Sequence, residues 1–266
     1  MPPIRSSELL GYPPEARVLI VNCDDFGMSD GINAAVIDSI ENGIARSCSL
    51  MVPCPAAPAA MRLLRERPEI PFGIHLTLVR DSQQDRWTPL AAVPSLLDDT
   101  GRLFTSAERI GLFAKARIDE VELEFRAQID AVAPLVPTHL DFHCLADGGR
   151  ADIFDVATEL AGEYGLAVRV WLESGRRKTR GLPVTDNNFL DSFALDIDGK
   201  AARYAQLLRD LPAGLNEWAV HPGRDGDVRR TDHEFLTSPQ ARELIRQEGI
   251  VMIDYRPVQE VWASAK

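Results

Sequence analysis

The chain has 266 residues, enough to bury a sizeable core in one barrel-sized domain or in two smaller ones. Hydrophobic residues make up 45% and charged residues 26%, a balance typical of soluble globular proteins. The formal net charge of −11 argues against general binding to nucleic acid or to anionic membranes, because both require a basic surface.

The N-terminal segment lacks the charged start and the apolar core of a signal peptide. No apolar run approaches the roughly 20 residues needed to cross a bilayer. The four cysteines form no CxxC motif and are expected to be buried thiols rather than a disulfide framework. We therefore expect a cytoplasmic protein with an extended, proline-rich tail over residues 1–15 and a single domain over residues 16–266.

Strands and helices are predicted to alternate along the chain. Short runs rich in Val, Ile and Leu predict about seven strands: 17–23, 48–53, 72–78, 138–143, 167–172, 217–221 and 249–255. Amphipathic stretches predict helices between most of them: 30–43, 56–68, 118–132, 152–165 and 239–249, with Gly43, Gly165 and Gly249 as helix ends. Such alternation indicates parallel βα units, and this number of strands favours an α/β fold, a (β/α) barrel that is possibly incomplete.

The least regular region is residues 79–104, which is rich in Pro and Asp. A loop of this length inside a compact domain is usually a lid or a binding loop. A tolerated surface insertion is the alternative, and the sequence does not decide between them.

Polar side chains collect where the predicted strands end: Asp24, Asp25, His75, His143 and His221. In parallel βα folds the ligand site forms at the C-terminal ends of the strands. Isolated histidines at such places are usually structural, but several strands ending in carboxylate or imidazole groups indicate one shared site.

A divalent cation would hold such a cluster together. Two adjacent carboxylates raise each other's pKa unless a positive charge compensates them. Imidazole and carboxylate ligands suit zinc and other first-row metals, whereas Mg²⁺ prefers a site richer in oxygen. Successive strand residues point to opposite sides, so we expect Asp24 and Asp25 to have different roles, one in binding the metal and one in handling protons. Two histidines and one carboxylate would leave coordination positions open for water and substrate.

Five blocks of the sequence resemble, in order, those of the YdjC-like carbohydrate deacetylases: VNCDDFGMSDGIN, GIARSCSLMV, FGIHLTL, PTHLDFH and VHPG. The resemblance covers residues 16–256, and the family includes the chito-oligosaccharide deacetylases. It implies a deacetylase-type (β/α) barrel with its active site at the C-terminal ends of the strands. It also implies metal-dependent removal of an acetyl group from an N-acetylated sugar, a small-molecule substrate.

Matched by position, the resemblance assigns the binding of one divalent ion, Mg²⁺ or Zn²⁺, to Asp25, His75 and His143. Asp24 matches the general base, and His221 matches a histidine that serves as acid or electrostatic partner. The chain departs from the family after His143, where Cys144 begins a stretch that replaces further histidines. This change puts the choice of sugar in question more than the chemistry. The alternatives are a metal-dependent hydrolase of another amide or ester, or a non-catalytic sugar- or metal-binding protein; a homo-oligomer is possible in each case.

Arg169 shares a predicted strand face with Ala167 and Trp171 and needs a carboxylate partner if it points inward. It either orients Asp24 or forms a structural ion pair. Asp141 is expected to support a ligand imidazole.

Other polar and aromatic residues are given structural interpretations. Asn22 and Asn33 are expected to support the aspartate loop, or Asn33 to belong to the first turn of a helix. We expect a solvated loop around Asp227, Asp232 and His233, and core positions for Trp87 and Trp218.

Overall fold

A computed structural model describes residues 4–187 and 189–265. It contains ten strands: β1 Arg17–Phe26, β2 Ser47–Leu50, β3 Phe72–Leu76, β4 Val79–Arg80, β5 Phe104–Thr105, β6 His139–Phe142, β7 Ala167–Val168, β8 Leu190–Asp191, β9 Gly214–Val220 and β10 Val251–Ile253. Eight of them form one sheet in the order β7-β6-β3-β2-β1-β9-β8, with β10 beside β1, while β4 and β5 pair separately. All of these pairings are parallel, as the alternation of strands and helices predicted.

Helices connect and surround the strands: α1 Ser6–Leu9, α2 Asp30–Glu41, α3 Ala57–Glu66, α4 Arg109–Lys115, α5 Ile118–Asp130, α6 Ala151–Tyr164, α7 Glu173–Lys178, α8 Lys200–Arg209, α9 Asp227–Thr237, α10 Pro239–Gln247 and α11 Arg256–Ser264. The five predicted helices correspond to α2, α3, α5, α6 and α10. Within residues 4–187 and 189–265, no helix combines the length and the apolar character needed to span a bilayer.

The sheet is curled, so that its two end strands approach each other without pairing in the described residues. Arg169, directly after β7, donates from Nε to Glu217 of β9 at 2.8 Å. The rings of Trp171 and Phe189, which follow β7 and precede β8, lie 4.5 Å apart. The expected incomplete (β/α) barrel is thus confirmed, and side chains bridge its open side.

The centre of the sheet is β1, whose residues Val18–Phe26 are all buried. This strand pairs with β9 from Arg17 to Cys23 and with β10 and β2 along its other edge. A parallel strand covered on both faces reads as a continuous apolar run, which explains the sequence VLIV at its start.

Two local expectations are wrong. Residues 6–9 form helix α1 instead of an extended tail, because the amides of Ser6 and Ser7 donate to the Asp186 carboxylate at 2.7 and 3.1 Å. Gly43 is not a left-handed helix end like Gly165 and Gly249. A Cβ at Gly43 would lie 2.7 Å from the carbonyl oxygen of Leu236, so close backbone approach is what requires glycine there.

The irregular region 79–104 is anchored at both ends, because β4 pairs with β5. The buried guanidinium of Arg80 donates to the carbonyl oxygen of Leu103 at 2.6 Å. Trp87 is buried, as expected, and its ring lies 5.7 Å from that of His143. The segment therefore packs beside the C-terminal ends of the strands.

Candidate metal centre and active site

A cavity of about 360 Å³ opens at the C-terminal ends of the strands. All five sequence-predicted site residues line it: Asp24, Asp25, His75, His143 and His221. Other charged side chains in its wall are Asp81, Asp147, Arg169, Asp191 and Arg229, and its aromatic side chains are Phe142, Trp171, Phe189 and Phe193. The five side chains therefore meet at one cavity, as the strand-end argument predicted.

An irregularity at the end of β1 brings two adjacent carboxylates into this cavity. Side chains of successive residues normally point to opposite faces of a strand. Here the pairing with β2 shifts between Cys23 and Phe26, and Asp25 has a positive φ of 65°. Asn33, in the first turn of α2, accepts the amide of Gly27 at 2.7 Å and holds the turn that follows. Both Asp24 and Asp25 consequently face the site.

Asp25, His75 and His143 converge on one point. Asp25 Oδ1 lies 3.6 Å from His75 Nε2 and 3.4 Å from His143 Nδ1. Two ligand atoms bound at 2.0–2.1 Å to one tetrahedral ion would be about 3.3 Å apart. The three buried side chains thus have the spacing of a ligand set.

The outer nitrogen of each imidazole is bonded to a second carboxylate. His75 Nδ1 lies 2.7 Å from Asp141 Oδ1, and His143 Nε2 lies 2.8 Å from Asp81 Oδ1. If these nitrogens donate their protons, the inner nitrogens direct lone pairs toward the Asp25 carboxylate. This pattern is typical of metal-ligating histidines, whose ring orientation is fixed by a carboxylate behind them. Asp141 contacts His75 as expected, and Asp81 makes the corresponding contact with His143, which the sequence did not reveal.

The electrostatics of the cluster demand positive charge. Burial alone would lower the pKa of both imidazoles, but Asp141 raises the pKa of His75, and Asp25 and Asp81 raise that of His143. Burial would raise the pKa of Asp25, yet Arg229 and the imidazoles hold it well below its ordinary value. These shifts favour positive charge at the cluster, which a divalent ion at the inner lone pairs would supply. The residues present fit a metal ion.

Asp24 is held separately by three donors. Arg169 grips it with two hydrogen bonds, from Nη1 to Oδ2 at 2.7 Å and from Nη2 to Oδ1 at 2.9 Å. Asn22 donates to Oδ1 at 2.7 Å. Arg169 also pairs with Asp141 at 2.8 Å and with Glu217 at 2.8 Å, so it both orients Asp24 and forms a structural ion pair.

His221 follows β9, and a buried network orients its ring. Its Nδ1 lies 2.8 Å from Ser192 Oγ, which donates its own proton to Asp232 Oδ2 at 2.5 Å. Because the Ser192 hydroxyl has a single proton, His221 Nδ1 is the donor in the first contact, which leaves Nε2 for the cavity. Asp232 also accepts the backbone amide of His221 at 2.9 Å and pairs with buried Lys200 at 2.6 Å.

The solvated-loop interpretation is therefore wrong for Asp232, which is fully buried in α9. Asp227 is exposed, as expected, but it begins helix α9 and does not lie in a loop. His233 is partly exposed and pairs with Asp38 at 2.7 Å. Helix α9 has only three apolar residues among eleven, so the sequence gave little sign that it is a helix with a buried face.

Comparisons with known proteins agree with this architecture. The sequence profile of the YdjC-like protein family matches residues 18–247. A carbohydrate deacetylase of Geobacillus stearothermophilus is 36% identical over 254 residues, which cover 90% of this chain and 97% of that protein. A chitooligosaccharide deacetylase of Serratia marcescens is 28% identical over 252 residues, covering 89% and 97%.

Among solved structures, a protein of Enterococcus faecalis V583 named for cellobiose-phosphate cleavage superposes with a TM-score of 0.77. The two chains are 24% identical, and the match covers 90% of this chain and 98% of that one. At this level of identity the likeness establishes the fold alone.

Proposed function

Because the chain belongs to the YdjC-like family, we propose that it is a carbohydrate deacetylase, which hydrolyses the acetamido group of an N-acetylated sugar or oligosaccharide. One observation carries the proposal. A buried Asp25–His75–His143 cluster lies in the same cavity as Asp24, a second carboxylate that is held by its own donors.

In this proposal Asp25, His75 and His143 hold one divalent ion, which when bound polarises the acetyl carbonyl and acidifies a water molecule. Two imidazoles and one carboxylate suit Zn²⁺ and other first-row ions better than Mg²⁺. Asp141 and Asp81 keep the two imidazoles in the orientation that binding requires.

Asp24 acts as the general base. A carboxylate can accept about four hydrogen bonds, two at each oxygen. In Asp24, Oδ1 accepts two, from Asn22 and Arg169, and Oδ2 accepts one, from Arg169. The remaining position on Oδ2 can accept the proton of the attacking water. Arg169 fixes the orientation of this carboxylate, because its guanidinium donates to both oxygens.

His221 acts as the general acid. With Nδ1 donating to Ser192, the ring presents Nε2 to the cavity, and a proton there can pass to the departing amine. The amine would otherwise leave as an unstable anion. Trp171, Phe189 and Phe193 line the cavity with aromatic rings, whose faces are suited to packing against a sugar ring.

The test is acetate release from a panel of N-acetylated mono- and oligosaccharides after chelator treatment and reloading with Mg²⁺, Zn²⁺ or Co²⁺. We expect metal-dependent release that falls about 10²–10⁴-fold in Asp24→Asn. Asp227→Asn, which removes an exposed carboxylate, is the matched control. In Asp24→Asn, Arg169 keeps Asp141 and Glu217 as partners, so the variant should fold, which thermal unfolding can verify.

If Asp24→Asn releases acetate at the wild-type rate, Asp24 is not the general base. Metal binding without release from any acetylated sugar would favour another amide or ester substrate, or a binding protein. A cytoplasmic location, homo-oligomerisation and the lack of nucleic-acid or membrane partners stay predictions.

A further inference from the structure

We propose that Cys144, His143 and Asp81 form a second metal site, which takes a thiophilic divalent ion such as Zn²⁺ or Cd²⁺ and competes with the first site for His143. One ligand atom from each of these residues lies within 4.8 Å of the others. The group lies at the mouth of the cavity, outward from the Asp25 cluster.

The separations match those of metal ligands. Cys144 Sγ lies 3.4 Å from His143 Nε2 and 3.8 Å from Asp81 Oδ1. A sulfur at about 2.3 Å and a nitrogen or oxygen at about 2.0–2.2 Å from one tetrahedral ion would be about 3.6 Å apart. The contact between His143 Nε2 and Asp81 Oδ1, at 2.8 Å, must lengthen by about half an ångström. The Asp81 side chain is 40% exposed and can move outward.

Cys144 is an accessible thiol, so the expectation of buried thiols is wrong for this residue. Within the described residues it is the one exposed cysteine, because Cys23, Cys48 and Cys54 are buried. Its backbone φ of +56° lies in the left-handed region, which residues other than Gly, Asn and Asp seldom adopt. This conformation places Sγ beside the imidazole of the preceding residue, where an ion arriving from solvent meets both groups.

The two sites exclude each other because they use opposite nitrogens of one ring. The first site needs a lone pair on His143 Nδ1, which faces Asp25, whereas the second needs it on Nε2. A neutral imidazole has only one such lone pair. When an ion binds the second site, the thiol proton passes to solvent, and the ring proton leaves Nε2 while Nδ1 gains one. Nδ1–H then donates to Asp25, and the first site loses a ligand.

The competition rests on the proposed function through the first site, but the second site can be detected without turnover. Chelator-treated protein, kept reduced with a non-thiol reductant, is titrated with Co²⁺ while sulfur-to-cobalt charge-transfer absorption is recorded. The first site contains no sulfur, so we expect this band in the wild type and its loss in Cys144→Ser. Zn²⁺ should also slow alkylation of the wild-type thiol about tenfold or more, and Asp81→Asn should weaken that protection.

Inhibition tests the competition separately. One ion divides between two mutually exclusive sites in a ratio that does not depend on its concentration, so the inhibition is measured between variants. With saturating Zn²⁺ we expect Cys144→Ser, which lacks the second site, to release acetate about tenfold faster than the wild type. With Mg²⁺, which a thiolate disfavours, we expect the two rates to differ less than about twofold. Absence of the sulfur band, or its persistence in Cys144→Ser, overturns the second site. A band that appears without inhibition overturns the competition. A band in a protein that releases no acetate supports the second site while the proposed function fails.

Discussion

Arg169→Gln should destabilise the fold strongly, because one guanidinium compensates three buried carboxylates, Asp24, Asp141 and Glu217. Removing one partner of a buried ion pair costs about 3–5 kcal/mol. In a chain of this size 1 kcal/mol corresponds to about 2–4 °C in melting temperature, so we expect a loss of about 6–20 °C. Thermal unfolding of chelator-treated protein, followed by circular dichroism, measures it.

The pH dependence tests the electrostatic cause. Burial would raise the pKa of Asp141, but Arg169 and His75 hold it well below its ordinary value in the wild type. The resulting stability is present above the pKa of the unfolded chain, about 3.9, and is lost as the pH falls through the lower native value. In Arg169→Gln the buried carboxyls should have raised pKa values. The free-energy cost of burying them as unpaired carboxylates should disappear as acid neutralises them. The difference in melting temperature between variant and wild type should therefore become smaller as the pH is lowered from 8 to 5.

Arg126→Gln is the matched control, since Arg126 also pairs with two carboxylates, Glu122 and Glu163, but does so at the surface. Exposed pairs contribute little, so this variant should melt close to the wild type. A loss in Arg169→Gln no larger than in the control, or one that does not change with pH, would refute the reasoning.

Three further outcomes are expected in thermal unfolding. Asp232→Asn should lower the free energy of unfolding by about 3–5 kcal/mol, because it leaves the buried ammonium of Lys200 without its carboxylate. Adding Lys200→Met should restore part of this free energy, and no restoration would contradict the pairing. Gly73→Ala should lower the free energy of unfolding by about 1–3 kcal/mol, since the new Cβ would lie 2.5 Å from His139 Nε2. Gly162→Ala, at an open position in a helix, should raise it by about 0.5–1 kcal/mol. Chelation should lower the melting temperature of the metal-loaded protein, because an ion present at 100 times its dissociation constant adds about 2.7 kcal/mol; unchanged melting would argue against the metal centre.

The predictable part of the site lies on the long central strands. Asp24, Asp25, His75 and His221 follow short apolar runs that predict buried strands, and parallel pairing then brings the ends of these strands together. The irregularity at Asp25, which turns both carboxylates inward, depends on pairing with β2, and pairing register is not written in the local sequence.

The unpredicted part depends on contacts between segments distant in the chain. Asp81 lies in the irregular region. Asp232 and Arg229 lie on helix α9, which has only three apolar residues among eleven, so its sequence resembles a solvated loop. The strand predicted over 167–172 stops at Val168. Beyond it, the amides of Trp171 and Leu172 donate to the Asp147 carboxylate at 2.7 and 2.9 Å instead of to a neighbouring strand.

The open side of the barrel gives the cavity a wall that can be adjusted. Trp171 and Phe189, which bridge the two end strands, also line the cavity, and a ring contact joins them rather than a backbone ladder. A change of rotamer can therefore widen this wall without breaking a strand-to-strand hydrogen bond. The proposed metal ligands and base on β1 and β3, and His221 directly after β9, are held by the central strands of the sheet. Sugars of different length can be fitted at this seam by substituting two aromatic residues while the chemistry on the opposite wall is left in place.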